Sequence, residues 1–168
     1  MNITIKKIET DEEMHGKAYV HWKSWQETYP GLIDQKFLDN LTVEKCEELA
    51  KKHPDNTLIA KDGDKVVGFV TYGKYRWEKE LADHGEIMAI YVLSKYYGIG
   101  VGAKLMYAGM CELSEYSKVA LLVLKDNRRA IKFYEKCGFE MDGTEFEDET
   151  LKTKEVRMIM NRNQLLIV

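Results

Sequence analysis

A glycine-rich turn between an apolar strand pattern and a helix pattern constrains this chain most. Gly98, Gly100 and Gly102 alternate with Ile99 and Val101. Glycines allow backbone N–H groups to face a ligand without interference from a Cβ atom. A helix that begins directly behind them adds its own free N–H groups and the positive end of its dipole. The turn therefore predicts an anion site, most often one for phosphate.

Composition narrows the class of ligand. The 168 residues suffice for one domain with its own core, and we expect a single domain over 1–168. The net charge of −3 argues against nucleic acid as a partner and favours a small molecule. The start, 1–5, has no signal-peptide pattern, and no apolar run is long enough to span a membrane. We therefore expect a cytoplasmic protein without a membrane partner.

The three cysteines, Cys46, Cys111 and Cys137, are widely spaced. Their spacing matches no metal site, so we expect no bound metal, and their odd number favours a reducing compartment. Each is expected to be a small buried hydrophobic residue.

Periodicity and turn signals predict the order β-α-α-β-β-β-α-β-α-β-β, which is a mixed α/β sheet. Thr10 and Glu13 form a capping-box pattern at the first helix, and Pro30-Gly31 ends that helix. The continuous apolar run 119–124 predicts a central strand. Strands are expected near 3–8, 57–61, 65–75, 86–93, 119–124, 139–146 and 152–160, and helices near 10–29, 34–52 (broken at Thr42), 100–116 and 127–137.

Two familiar phosphate-binding motifs fit the glycine turn poorly. Gly98-x-Gly100-x-x-Ala103 matches the loose dinucleotide pattern, but 94–97 separate the strand from the glycines, and the turn lies past the middle of the chain. A Walker loop needs Gly-Lys-Ser/Thr, which the sequence after Gly102 does not provide. A nicotinamide-dependent enzyme is a rival interpretation. A turn without a ligand is another, although three alternating glycines then cost conformational entropy without improving packing.

The chain resembles the GNAT family of N-acetyltransferases over nearly its whole length, in element order and in two motifs. Family members carry Arg/Gln-x-x-Gly-x-Gly/Ala at the turn, and here 97–102 match it with Tyr97 in place of the Arg or Gln. The family's Asn-x-x-Ala-x-x-x-Tyr-x-x-x-Gly-Phe is similar to 127–139, and 24–31 resemble the first helix of many bacterial members. The resemblance implies a mostly antiparallel central sheet flanked by helices and an acetyl group donated by acetyl-coenzyme A.

In this family, backbone N–H groups of the turn hold the pyrophosphate of acetyl-coenzyme A. The preceding strand pairs with the pantetheine arm like an added strand, and its N–H groups can stabilise the oxyanion. The resemblance implies that Asn127 binds the pantetheine arm, caps its helix, or does both. The residues expected at the coenzyme are Ile90, Tyr91, Val92, Tyr97, Gly98, Ile99, Gly100, Val101, Gly102, Ala103, Asn127, Ala130 and Tyr134.

Acetyl transfer to an amine needs a neutral amine, whereas an amine with a pKa near 10.4 is mostly protonated at neutral pH. Removing that proton costs roughly 4 kcal/mol, so a carboxylate base would help. Glu86 heads the strand before the glycine turn, where the family often has a glutamate that acts as base. A solvated glutamate at a strand end is the simpler interpretation. His84 is the second candidate, if the strand extends that far.

The leaving thiolate needs a proton, and Tyr134 is the candidate acid. A phenol with a pKa near 10 stays protonated at neutral pH and can donate. Spacing alone permits a simpler interpretation, because Ala130, Ile131, Tyr134 and Cys137 form an ordinary apolar helical stripe. The combination with Asn127 and the glycine turn favours the functional role.

The acceptor is predicted to be a small amine or a polyamine. Tyr29 is expected to reach the acceptor together with His84 and Glu86, whereas the tryptophans of the first helix are expected in the core. The acidic segment 145–149 either attracts a cationic acceptor or is an ordinary solvated turn.

Other acceptors are left open. Family members that acetylate protein N-termini often carry a glutamate five residues before the motif asparagine, where this chain has Leu122. A protein N-terminal or lysine acetyltransferase and a coenzyme-binding sensor without turnover are the alternatives, and a homodimer is also left open.

Overall fold

The computed structural model describes residues 2–52 and 56–162, and within them the chain forms seven strands and five α-helices. Residues 1, 53–55 and 163–168 of the expected domain lie outside the described residues. The strands are β1 (Ile3–Lys7), β2 (Thr57–Asp62), β3 (Lys65–Lys74), β4 (Gly85–Val92), β5 (Lys118–Leu124), β6 (Glu140–Asp148) and β7 (Thr153–Asn161). The helices are α1 (Asp11–Thr28), α2 (Gln35–Asn40), α3 (Val43–Lys52), α4 (Val101–Glu112) and α5 (Arg128–Lys136).

All seven strands belong to one sheet, in the order β1-β2-β3-β4-β5-β7-β6. Neighbouring strands run antiparallel, except for β4 and β5, which run parallel. The expected mixed, mostly antiparallel sheet is therefore confirmed, and the apolar run of β5 does lie inside it.

Helices cover both faces of the sheet. Phe69 and Val70 are neighbours on β3 and so point to opposite faces. The Phe69 ring lies 5.9 Å from the ring of His21 on α1. Val70 instead packs against Gly109 of α4. Apolar side chains of α4 and of the residue after it are buried: Leu105, Met106, Met110 and Leu113.

The pairing of β4 with its two neighbours is irregular, and this irregularity opens a gap between β4 and β5. On the β3 side the register slips between Thr71 and Tyr72, which leaves Met88 as an extra residue in β4. On the β5 side only Gly85↔Val119 and Glu86↔Ala120 pair. Beyond them β5 pairs with β7 alone. The two parallel strands therefore separate toward the glycine turn.

Three local expectations are corrected. The strand begins at Gly85, because the chain turns through a short 3₁₀ helix at Lys79–Leu81, so His84 precedes β4 rather than belonging to it. Cys46 and Cys137 are buried as expected, but Cys111 lies on the outer side of α4 and is exposed. Most of the acidic segment, 145–148, belongs to β6 rather than to a turn.

A buried carboxylate joins α1 to the first two strands. Thr10 Oγ1 accepts a hydrogen bond from the Glu13 N–H at 3.2 Å, as the capping pattern predicts. The Glu13 carboxylate accepts hydrogen bonds from Lys6 at 2.9 Å, Lys61 at 2.8 Å and the Glu9 N–H at 2.9 Å. Burial alone would raise its pKa, but these donors lower it to about 2. Glu13 therefore ties α1 to β1 and β2.

This pairing predicts a pH-dependent contribution to stability. The pKa of about 2 in the folded chain lies below the ordinary value of 4.5, so the stabilisation is present above about pH 4.5 and is lost as the pH falls toward 2. We expect Glu13→Gln to lower the free energy of unfolding by about 1–3 kcal/mol near neutral pH. The difference from wild type should shrink in acid. Urea unfolding at neutral pH and near pH 3 measures the free energy of unfolding of the variant and of wild type, with the exposed Glu12→Gln as control. A difference in this free energy that does not change with pH would contradict the assignment.

Candidate functional site

The separation of β4 and β5 opens a cleft of about 910 Å³. Its walls come from the end of α1, β4, the glycine turn, the start of α4, the end of β5, α5 and β7. Every residue expected at the coenzyme lines it except Ile99, whose side chain is 48% exposed. Ile99 stands between two glycines of left-handed conformation, and its side chain turns to solvent.

The glycine turn presents a row of free donors to the cleft. Gly98 has a φ of 76° and Gly100 a φ of 84°, a region that residues with a Cβ atom seldom adopt. Within the described residues, the N–H groups of 98–103 donate no hydrogen bond, and the first bonded amide is Lys104 N–H to Gly100 C=O at 3.0 Å. Free amides at the start of α4, with the positive end of its dipole, suit an anion such as phosphate.

A cation from another helix lies beside this turn. The guanidinium carbon of Arg129 on α5 lies 3.3 Å from the centre of the Tyr97 ring. Tyr97 stands where an Arg or Gln was expected, so α5 supplies the positive charge that the turn itself lacks. Three further cations of α5 line the cleft: Arg128, Lys132 and Lys136. None of the four was expected there, because helical spacing does not show which side chains of α5 point into a cleft.

The edge of β4 that faces β5 has no strand partner beyond Glu86. Ile90 and Tyr91 pair with Val70 and Phe69 of β3 on the opposite edge only. Main-chain groups along an open edge are available to an extended ligand that carries amides. The cleft therefore combines free amides at the glycine turn with a strip of main-chain donors and acceptors along one wall.

Tyr134 and Asn127 place α5 against this wall. The Tyr134 side chain is 9% exposed and lines the cleft, and within the described residues its hydroxyl makes no hydrogen bond. Burial raises the pKa of Tyr134, so the phenol keeps its proton and is free to donate it. Asn127 Oδ1 accepts a hydrogen bond from the Ala130 N–H at 3.2 Å, so the capping role is present.

Aromatic side chains form the wall on the α1 side. The hydroxyls of Tyr29 and Tyr91 are 3.1 Å apart, and burial raises the pKa of both groups. The ring of Trp25 lies 4.9 Å from that of Tyr29, and Trp25 lines the cleft although it was expected in the core alone. Tyr29 also lines the cleft. The aromatic wall adjoins a partly buried carboxylate, Glu155 of β7, which sequence analysis did not single out.

Glu86 does not line the cleft, and its carboxylate is already in use. The side chain is buried, and its oxygens accept hydrogen bonds from Arg76 Nε at 3.1 Å, Arg76 Nη2 at 3.0 Å and Trp77 Nε1 at 3.1 Å. Because both oxygens are already held by donors of the chain itself, this geometry does not favour the expected role. His84 is buried outside the cleft, with Nδ1 2.8 Å from Asp83.

The acidic segment also has partners of its own. Glu145 pairs with Lys125, and Glu147 pairs with Lys154 at 3.4 Å. Asp148 accepts a hydrogen bond from the Leu151 N–H at 2.8 Å. Two of the four carboxylates in 145–149 are therefore paired with lysines, which favours the simpler interpretation of this segment. Across residues 2–52 and 56–162, no helix has the length and apolarity to cross a membrane, and no three acidic, Cys or His side chains form a metal-binding group.

Known proteins share this architecture. The spermine/spermidine N(1)-acetyltransferase of Bacillus subtilis is 29% identical over 101 residues, which are 56% of this chain and 66% of that enzyme. The crystal structure of PH1933 from Pyrococcus horikoshii superposes with a TM-score of 0.76 at 25% identity, covering 96% of this chain and 99% of that one. A PaiA N-acetyltransferase of Thermoplasma acidophilum, solved in complex with coenzyme A, shares the fold with a TM-score of 0.75 at 20% identity, over 96% of this chain and 99% of its own.

A family model described as the acetyltransferase (GNAT) family matches residues 18–139. The match runs from within α1 to just beyond α5, and it contains the glycine turn and every residue that lines the cleft except Leu151 and Glu155. Because it covers most of the chain, the protein belongs to the acetyltransferase (GNAT) family.

Proposed function

We propose that this protein transfers an acetyl group from acetyl-coenzyme A to a primary amine of a small molecule, with polyamines as the leading class. The observation that carries the proposal is the cleft between β4 and β5, which joins free amides of the glycine turn to an unbonded, protonated Tyr134. The membership in the family and the relative that acts on spermine and spermidine support it.

The residues present fit the coenzyme. The amides of 98–103 would hold its pyrophosphate, with Arg129 adding positive charge beside them. The open edge of β4 would pair with the amides of the pantetheine arm. When bound, the coenzyme supplies a thioester, which is the activated acetyl group.

The chain's own groups then act at two atoms. Main-chain N–H groups of β4 stabilise the carbonyl oxygen as it gains charge. Tyr134 donates its proton to the departing sulfur, and its burial keeps the phenol neutral until that moment. The cleft walls hold the amine close to the thioester, which converts a bimolecular encounter into a local one.

The glycine turn gives a test of coenzyme binding. A Cβ atom at Gly100 would meet no protein atom within 4 Å, so Gly100→Val fills space in front of the free amides rather than space in the core. We expect affinity for acetyl-coenzyme A to fall at least about tenfold by calorimetry. Gly143→Val is the control, since Gly143 has a similar φ of 87° and lies on β6 outside the cleft. Unchanged affinity in a folded Gly100→Val protein would contradict the placement of the pyrophosphate.

The proton donor gives a test of chemistry. Tyr134→Phe removes one hydroxyl that makes no hydrogen bond within the described residues, so the fold and the affinity for acetyl-coenzyme A should be kept. We expect kcat to fall on the order of 10²–10⁴-fold. Tyr107→Phe, at an exposed position of α4, is the control. A variant with wild-type kcat, measured where chemistry limits the rate, would show that water or another group protonates the thiolate.

An amine screen separates this proposal from its alternatives. Release of thiol from acetyl-coenzyme A is measured with spermidine, spermine, small monoamines, peptides with free N-termini and lysine peptides. We expect turnover with the small amines and none with the peptides. Turnover with peptides alone would indicate a protein acetyltransferase, and tight coenzyme binding without any turnover would indicate a sensor.

A further inference from the structure

The charged side chains that line the cleft come from separate elements. Four cations belong to α5, and one of them, Arg129, lies against Tyr97 at the glycine turn. Among the described residues that line the cleft, Glu155 of β7 is the one carboxylate. A cleft with this polarity suits a reaction in which one partner carries phosphates and the other an ammonium group.

Strand register places Glu155 on the face that α1 and α2 cover. Glu155 is directly opposite Leu124 of β5, so both side chains point to the same face. Leu124 packs in a cluster with Trp25 and Tyr29. The neighbours of Glu155 on the other face, such as Val156, belong to the main core. Glu155 therefore adjoins the aromatic wall of the cleft.

No cation within the described residues neutralises Glu155, whose carboxylate makes no ion pair or hydrogen bond there. Arg157 is next on the same face of β7, but its guanidinium makes four hydrogen bonds to the side chains of Glu78, Asp142, Thr144 and Tyr75. Lys154 pairs with Glu147 instead. A partly buried carboxylate without a partner is costly, and a bound cation would remove that cost.

The groups that face Glu155 reinforce this reading. They are Tyr29 of α1, Tyr91 and Glu86 of β4, and Asp148 of β6, while β5 contributes the uncharged Leu124. Burial, then Asp148 and Glu86, raise the pKa of Glu155, so it holds a proton more readily than an exposed glutamate. Aromatic rings beside it add a further attraction for an ammonium ion.

We propose that Glu155 binds the ammonium group of the acceptor amine and takes its proton, in the role that the sequence assigned to Glu86. The proposal rests on the acetyltransferase function above and deepens it, because it specifies a cationic amine. Glu155 removes one proton from the ammonium, and the neutral nitrogen forms the C–N bond. As the C–S bond breaks, Tyr134 protonates the sulfur. The amide nitrogen returns a proton to the tyrosinate, and Glu155 releases its own to water.

The decisive comparison is Glu155→Gln against Glu86→Gln, with the exposed Glu140→Gln of β6 as matched control. Each variant is assayed for kcat/KM with spermidine from neutral to alkaline pH, and for affinity to acetyl-coenzyme A by calorimetry. We expect Glu155→Gln to keep coenzyme affinity within about twofold and to lose roughly 10²–10³-fold in kcat/KM near pH 7. The loss should shrink toward pH 10, because a large fraction of the amine is then already deprotonated in solution and needs no base in the cleft. Glu140→Gln should match wild type.

Several results would overturn the assignment. A Glu155→Gln protein within about threefold of wild type near pH 7 would do so, and so would a loss that stays constant up to pH 10. Calorimetry of spermidine binding is a second measurement, and it needs no turnover. We expect Glu155→Gln to bind spermidine at least tenfold more weakly than wild type. Equal affinity in the two proteins, or no binding of spermidine to wild type, overturns the inference. Failure of the proposed function has a different signature, which is a wild-type protein that does not bind acetyl-coenzyme A.

Discussion

The parallel pairing of β4 and β5 stops after two residue pairs, and the rest of the site depends on that early stop. Polar groups of a strand edge need partners, so an edge left open inside a domain is available to a ligand. The extra residue at Met88 shifts β4 relative to β3 at the point where β4 leaves β5. Helix α4 then starts at the end of the opened strand, with its free amides toward the cleft. This local irregularity therefore opens the cleft beside the free amides at the start of α4.

The charges of the cleft walls fit the two substrates of the proposed reaction. Arg129 of α5 lies beside the free amides of 98–103, where phosphate would bind. The aromatic wall and Glu155 lie on the face that α1 and α2 cover. Opposite charges on separate parts of a cleft orient two substrates of opposite charge, which favours one productive arrangement over its reverse. Tyr134 also lines the cleft, and the proposed reaction needs a proton donor there when the C–S bond breaks.

Two buried ionic clusters hold the elements that carry this arrangement. Glu13 joins α1 to β1 and β2. Arg157 joins β7 to β6 and to the segment before β4, through Asp142 and Glu78. Because these partners engage Arg157, it forms no ion pair with Glu155 beside it. A buried cation with several acceptors costs less to bury than an unpaired one, so the contacts of Arg157 also stabilise the fold.

Sequence alone determined the features that depend on local chemistry. The glycine turn, the Thr10 cap and the Asn127 motif follow from short spacings, since backbone conformation and helix ends depend on neighbouring residues. The sequence also predicted the order of the elements and residues that line the cleft. Of the residues expected at the coenzyme, Ile99 does not line the cleft, because its side chain turns outward between two left-handed glycines.

Tertiary structure alone decided what each charged side chain is free to do. Arg76 and Trp77 engage Glu86, and Arg129 covers Tyr97, although neither contact has a local signal. Glu155 lies in a strand whose other face carries Val156, Met158 and Met160. This pattern predicts on which face of the sheet Glu155 lies, but it does not show that a cleft opens there. A carboxylate's basicity depends on burial and on partners distant in the chain. Those partners are brought together by the sheet, and the sequence pattern of one element does not contain them.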